Sequence, residues 1–339
     1  MSTVGPRIPY LRKEATVASM MGNVLLAQAA LLVVSAAYYG LRPLLLCLAT
    51  VAVCFAAECV CNVIGRRGFF PQEASGCVTA VTICLLLPPS APYWLPVTAG
   101  LFAILAAKAP FGGLGRTLFN PAAAGVAFVT VCSPDKVFQY IAPPPGGYPL
   151  FEDVHGAVLQ APSAMMAAGL KPPQPPLELL WGHAPGPMGT TAALVLVAGA
   201  VFLCSRRIIN WETPVSMLLA SALYAALFPR IACSPLTSVS YELLTGSLLY
   251  CGIFMAADPV TSPRTRGGRW LYGAGAGLLL MLMRMFGAYE QSACFAILLA
   301  NALVPSLDRL VCSGGRRIGS LYKRQKKLEE LKGWKEKQN

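Results

Sequence analysis

Gly76-Cys77-Val78-Thr79-Ala80-Val81-Thr82-Ile83-Cys84-Leu85-Leu86-Leu87 runs apolar for twelve residues and then stops at Pro88-Pro89-Ser90-Ala91-Pro92. Proline lacks the N–H that a helix interior needs, so the run reads as a half-helix ended by a knot. The same plan recurs from Gly246 to Ala257, ended by Asp258-Pro259-Val260-Thr261-Ser262-Pro263. Each knot is followed by an apolar stretch, a Phe-Gly corner (Phe111-Gly112-Gly113 and Phe286-Gly287-Ala288) and a further helix carrying Asn120 or Asn301. From the last proline of the knot to the corner is 19 residues in the first copy and 23 in the second.

Around these knots the chain is 55% hydrophobic and only 12% charged over 339 residues, with a net charge of +12. Ordinary soluble domains carry about 25% charge. That balance excludes a soluble globule and a disordered chain. It also argues against a nucleic-acid partner, because the basic residues lie between long apolar runs. A spanning helix needs about 20 mostly apolar residues, fewer if broken. Candidate runs fall at 17–39, 43–63, 76–87, 93–108, 118–133, 189–205, 212–228, 241–257, 270–286 and 290–311. Met1 to Lys13 is polar and basic, and the first run is long enough to span, so no cleavable signal peptide is expected.

Charge tests the count. With the N-terminus in the cytoplasm and ten spans, 22 of the 27 Lys and Arg residues fall inside. Only Arg42, Lys136, Lys171, Arg230 and Arg284 remain outside. The positive-inside rule favours this arrangement, and nine spans would put the basic tail on the wrong side. The expectation is an all-α integral membrane protein of about ten transmembrane helices, in two inverted five-helix repeats with broken helices, both termini cytoplasmic. Its divisions are a cytoplasmic N-terminus (1–16), a first repeat (17–133), an external proline-rich loop (134–188), a second repeat (189–311) and a basic tail (312–339). The tail from Gly314 has the pattern of a basic amphiphilic helix (Leu321, Leu328, Leu331, Trp334), read as a topology anchor on anionic lipid. Helices broken at membrane depth expose backbone groups tolerated only where they line a cavity or meet a ligand. The alternative is that proline ends each helix at the interface; duplication of the knot favours the cavity.

At these residues the chain resembles the NqrB/RnfD family, more closely the D subunit of the Rnf ferredoxin–NAD oxidoreductase. The resemblance begins at Tyr39-Gly40-Leu41-Arg42-Pro43-Leu44 and passes through Leu87-Pro88-Pro89, Phe111-Gly112-Gly113-Leu114-Gly115 and Phe119-Asn120-Pro121-Ala122. It continues through Met255-Ala256-Ala257-Asp258-Pro259-Val260-Thr261-Ser262-Pro263, Ala296-Ile297-Leu298-Leu299 and Asn301-Ala302-Leu303-Val304-Pro305. It implies a subunit of a redox-driven pump in the bacterial plasma (inner) membrane, moving Na+ or H+ as electrons pass between ferredoxin and NAD. Other subunits of an Rnf-type complex and the lipid bilayer are the implied partners. Relatives carry flavin: FMN joined through a phosphoester to a threonine of a Ser-Gly-Ala-Thr motif in the external loop, and often riboflavin within the membrane.

Here the chain departs from its family. The matching register is His155-Gly156-Ala157-Val158, with valine where the threonine should stand. The loop 134–188 contains no threonine, and its one aliphatic hydroxyl is Ser163. Valine cannot carry a phosphoester, so covalent FMN is not expected at this position. Thr190 and Thr191 read as caps of the following helix.

The cofactor-binding candidates are therefore Asn120 and Thr261, with Ser163 as the loop's hydroxyl. Asn120 would hydrogen-bond a flavin ring or the broken helix, or act as glue between helices. Asp258 and Glu58 are the ion-pathway candidates, since carboxylates amid apolar spans are costly. For Asp258 the alternatives are an N-cap or a partner of Arg264; for Glu58, a residue snorkelling to water. The 12 cysteines form no CxxC, and His155 and His183 lack a ligand pattern, so no metal site or side-chain catalysis is expected. Redox work would be the cofactor's. The rival readings are a channel- or permease-like member that has lost flavin, and a structural subunit that only holds redox partners.

Overall fold

The computed structural model describes residues 16–66, 74–113, 115–182, 184–287 and 292–312. The expectations for the N-terminal fifteen residues, Leu114, His183, Ala288 and the tail from Gly314 lie outside these.

The first half comprises α1 (Val17–Tyr39), α2 (Arg42–Ile64), α3 (Ser75–Leu86), α4 (Trp94–Phe102) and α5 (Pro121–Cys132). The Thr16 hydroxyl caps α1 by accepting from the Ser19 N–H. Helix α4 continues into a π-helical segment, Ala103–Lys108. The loop holds α6 (Pro134–Val137), the strands β1 (Tyr140–Ile141) and β2 (Val158–Leu159), α7 (Pro162–Ala167) and α8 (Pro176–Trp181). The strands pair antiparallel, Tyr140 opposite Leu159 and Ile141 opposite Val158. The second half comprises α9 (Ala193–Ser205), α10 (Glu212–Leu227), α11 (Pro235–Leu244), α12 (Leu248–Cys251), α13 (Arg266–Phe286) and α14 (Ala293–Cys312). Helix α12 also continues into a π-helical segment, Gly252–Ala256.

Each of the ten apolar stretches is helical over most of its length. By length and composition, α1, α2 and α14 suffice to cross a membrane. The pair formed by α11 and the α12 segment, bent by 63°, makes a fourth if counted as one span. The eighth stretch departs from its expected shape. Its helix begins at Pro235, capped by Ser234, and is interrupted around Gly246, whose φ of +68° suits glycine. The second half-helix is thus cut off at both ends.

Small residues set the packing. On α13, a Cβ at Gly273 would collide with Ser216 Oγ, and one at Gly277 would lie 2.5 Å from the Met217 carbonyl of α10. This is the close approach that a small-xxx-small pair permits, and it replaces the hydrophobic drive that lipid cannot supply. In the first half, a Cβ at Gly125 of α5 would collide with the Ala99 carbonyl of α4.

The loop is clasped to the first half. Arg42, 1% exposed, donates through Nη1 to the carbonyls of Pro149 and Glu152, both at 2.7 Å. Its Nη2 reaches the Ala91 carbonyl of the first knot at 3.2 Å, and its guanidinium lies over the Tyr93 ring. Gly147 meets the Tyr39–Gly40 corner, where an added Cβ would stand 3.0 Å from Gly40 Cα.

Candidate functional site

Proline knots leave carbonyls at helix ends without their usual intrahelical donors. At the end of α3 other segments supply them. The Gly189 N–H donates to the Leu85 carbonyl at 2.7 Å, and the Met188 N–H to the Leu87 carbonyl at 3.0 Å. Met188 and Gly189, where the loop 134–188 ends, therefore complete the first half-helix. A Cβ on Gly189 would stand 2.6 Å from Leu85 Cβ and 3.1 Å from the Tyr250 ring. Near the second knot, the Met255 carbonyl accepts from Asn120 Nδ2 at 3.4 Å.

The two broken helices meet at a buried polar junction. Gln28 of α1, 0% exposed, donates through Nε2 to Thr82 Oγ1 of α3 at 2.7 Å and to the Tyr250 hydroxyl of α12 at 3.3 Å. One amide thus joins three helices from both halves.

Beside this junction lies a cavity with about 780 Å³ of empty space. Its walls come from α1 (Met20, Met21, Val24), α3 (Ser75, Val78, Thr79, Thr82), the two π-helical segments and the second knot. π-helical turns recur at functional sites. Here the first ends in Lys108, and Asp258 follows the second by two residues; both line the cavity.

The charges differ in their surroundings. Lys108 and Glu58, 5% and 8% exposed, form an ion pair, and Lys108 Nζ also donates to Ser75 Oγ at 2.6 Å. A Cβ at Gly76 would collide with Glu58 Oε2, so glycine makes room for that carboxylate. Asp258 has no ion pair among the described residues. It accepts from the Val260 N–H at 3.2 Å and the Thr261 hydroxyl at 3.4 Å.

The structure brings four of the five candidates around one cavity. Asn120 and Asp258 line it, Thr261 holds Asp258, and Glu58 holds Lys108. The Asn120 amide caps α5, accepting from the N–H groups of Ala122 and Ala123 at 3.0 and 3.2 Å, besides reaching the broken helix. The Thr261 hydroxyl is turned to the carboxylate, and Asp258 pairs with no arginine among the described residues. Ser163 sits elsewhere, in a cavity of about 320 Å³ of empty space with Thr190, Thr191, Thr245 and Gly246. Val158 stands in β2, 59% exposed. Sequence reasoning missed Gln28 and Lys108 as site residues. Their signals are a second amide in the apolar helix α1, after Asn23, and a lone cation ending an apolar run.

Comparison with known proteins supplies the relatives. A profile described as the NQR2, RnfD, RnfE family matches residues 6–314. The chain is similar to the D subunit of an ion-translocating oxidoreductase complex from Halorhodospira halophila, 31% identical over 92% of this chain and 96% of that one. It is also similar to the D subunit of a Na(+)-translocating ferredoxin:NAD(+) oxidoreductase complex from Acetobacterium woodii, 32% identical over 89% of this chain and 91% of that one. A third relative, the D subunit of an ion-translocating oxidoreductase complex from Stutzerimonas stutzeri, is 32% identical over 80% of this chain and 84% of its own.

Proposed function

Because the chain belongs to the NQR2, RnfD, RnfE family, we propose that it is the D-type membrane subunit of an Rnf-type complex. In this reading it works with the other subunits of that complex and couples electron transfer between ferredoxin and NAD to movement of Na+ or H+. The proposal includes ten spans in two inverted repeats, both termini cytoplasmic, in a bacterial inner membrane.

The observation that carries the reading is the cavity between the broken helices. It joins elements of both halves and holds a carboxylate, Asp258, without a cationic partner among the described residues. A lone carboxylate there favours cations over anions. Lys108 adds little opposing field, because Glu58 neutralises it.

Flavin is part of the proposal. Ligand sites are mostly apolar with a few placed polar groups. The cavity meets that description, with Phe254, Ile208 and Ile209 as apolar wall and Thr79, Thr82 and Lys108 as polar points. These residues would hold a ring non-covalently. A bound flavin would supply one- and two-electron redox chemistry, which the side chains here lack. No phosphoester is proposed at Val158, which has no side-chain oxygen.

Two measurements test this. Complex purified from cells and reconstituted in liposomes should take up cations when reduced ferredoxin and NAD are supplied, and Asp258→Asn should reduce uptake more than electron transfer. Equal loss of both, or none, would refute the role given to Asp258. Acid precipitation of the purified subunit should release its yellow colour into the supernatant. A colourless subunit would favour the channel-like or structural reading, and colour kept in the pellet would mean covalent flavin.

A further inference from the structure

Where α9 ends and α10 and α13 begin, arginine and tryptophan crowd together. Arg206 and Arg207 follow the last residue of α9, and Ile208 and Ile209 beside them turn inward as cavity wall. The turn reaches α10 at Trp211 and Glu212, and two contacts hold it against the start of α13. The Trp211 and Trp270 rings meet edge to face at 6.0 Å, and Glu212 Oε1 accepts from Arg266 Nε at 3.1 Å. Arg269 Nη1 stands 3.8 Å from the other oxygen of that carboxylate. Asp308 of α14 accepts from the N–H groups of Arg264 and Thr265 at 3.1 and 3.2 Å.

Charge is unbalanced here. Five arginines stand against two carboxylates, and both carboxylates are already engaged, Glu212 by guanidinium groups and Asp308 by main-chain N–H groups and the Thr265 hydroxyl. Arg206 and Arg207 are exposed, and neither has an ion pair among the described residues; Arg206 lies over its neighbour Phe202. Arg266 gives Nε to Glu212, its side chain is 80% exposed, and its terminal amino groups have no partner among the described residues. Trp211 and Trp270 are half-exposed, and the outer face of α13 continues from them as the exposed Leu271, Leu278 and Leu282. Exposed leucines on a spanning helix belong in hydrocarbon, and tryptophans mark the headgroup layer. The arginines therefore stand level with lipid phosphates. Guanidinium groups grip phosphate oxygens through paired N–H bonds, and basic clusters beside spanning helices hold anionic headgroups. A protein approaching from water would meet the arginines but leave the leucine face uncovered.

We propose that the turn between α9 and α10, together with the start of α13, is a binding site for an anionic phospholipid. Arg206, Arg207 and Arg266 meet its phosphate, Trp211 and Trp270 stand beside its glycerol, and its chain lies along the leucines of α13. The site requires only that the chain spans a membrane, and it is independent of the proposed flavin and cation chemistry. A lipid bound there would brace α9 against the closely packed pair of α10 and α13.

The test uses the assembled complex in detergent, stripped of lipid. Phosphatidylglycerol is the probe, phosphatidylcholine the neutral control, and inorganic phosphate the control for the headgroup without its chains. Phosphatidylglycerol should raise the thermal midpoint of the wild-type complex, and neither control should match it. Arg206→Gln with Arg207→Gln removes two exposed cations that hold no carboxylate among the described residues. It should raise the half-saturating phosphatidylglycerol concentration by about thirtyfold, the loss of two interfacial cations. Native mass spectrometry should show that complex retaining fewer phospholipids than wild type. Arg316→Gln with Arg317→Gln, in the basic tail, should leave both readings at wild-type values. Should the first double variant fail to assemble, Arg206→Gln alone is read in the same way, with a shift of about fivefold. An unchanged titration in the Arg206 and Arg207 variants would overturn the site, as would an equal loss in the tail variant. A wild type that responds equally to phosphatidylcholine or to inorganic phosphate would also overturn it. Release of another subunit by the arginine variants, with lipid retention unchanged, would make the patch a protein interface instead.

Discussion

The Lys108–Glu58 pair fixes what a single side chain is worth in this protein. Both groups are almost fully buried, so removing one leaves the other as an uncompensated charge. Breaking a buried pair in this way costs about 3–5 kcal/mol. We expect Lys108→Met to lower the thermal midpoint of the assembled complex strongly, and Lys108→Met with Glu58→Gln to recover much of the loss. A double-mutant cycle on thermal midpoints checks this, and purely additive losses would refute the coupling. Gly76→Ala should destabilise by about 1–3 kcal/mol through overpacking, because its methyl would collide with the Glu58 carboxylate. Glu58 and Asp258 were legible in the sequence as carboxylates beside apolar runs. Lys108 was not, because charge counting assigned it to a cytoplasmic edge, and only its contact with Glu58 shows it buried. Gln28 was illegible for a related reason. An amide in a long apolar helix is neutral to charge rules, and its importance arises from Thr82 and Tyr250, 54 and 222 residues away.

Elements were easier to read than sites, since apolar length locates a helix without knowledge of its neighbours. The run from Val17 to Tyr39 is one helix with those bounds, and the first half-helix stops before Pro88 as its sequence requires. Features set by tertiary contact were hidden. The π-helical segments carry no marker in composition, and the early start of α11 at Pro235 follows from a cap at Ser234. The contact between α10 and α13 likewise depends on which glycines face a partner, and the sequence does not say which do. Gly273 and Gly277 do, and Gly275 meets nothing within 4 Å. Gly277→Val should therefore reduce assembly of the subunit into the membrane complex, whereas Gly275→Ala should be tolerated. Native gel electrophoresis of solubilised membranes separates these outcomes, and equal behaviour of the two variants would refute the packing argument.

At the scale of the whole molecule, Arg42 ties the loop to the first knot by three hydrogen bonds to main-chain carbonyls. Lysine is a point charge without the guanidinium fork, so Arg42→Lys is not conservative here. We expect Arg42→Lys, and more so Arg42→Ala, to speed protease cleavage within 140–160, read by mass spectrometry of limited digests. Unchanged cleavage would show that the loop is held by other contacts. The bonds from Met188 and Gly189 to α3 carry a consequence for biogenesis. A nascent chain leaves the ribosome from its N-terminus, so α3 emerges some hundred residues before the amides that complete it. Until then the bare carbonyls of Leu85 and Leu87 would cost several kcal/mol each in lipid. The first five helices therefore await the returning loop during synthesis. A chain terminated before Met188 should be a preferred substrate for membrane quality-control proteases, and one extended through α9 should not.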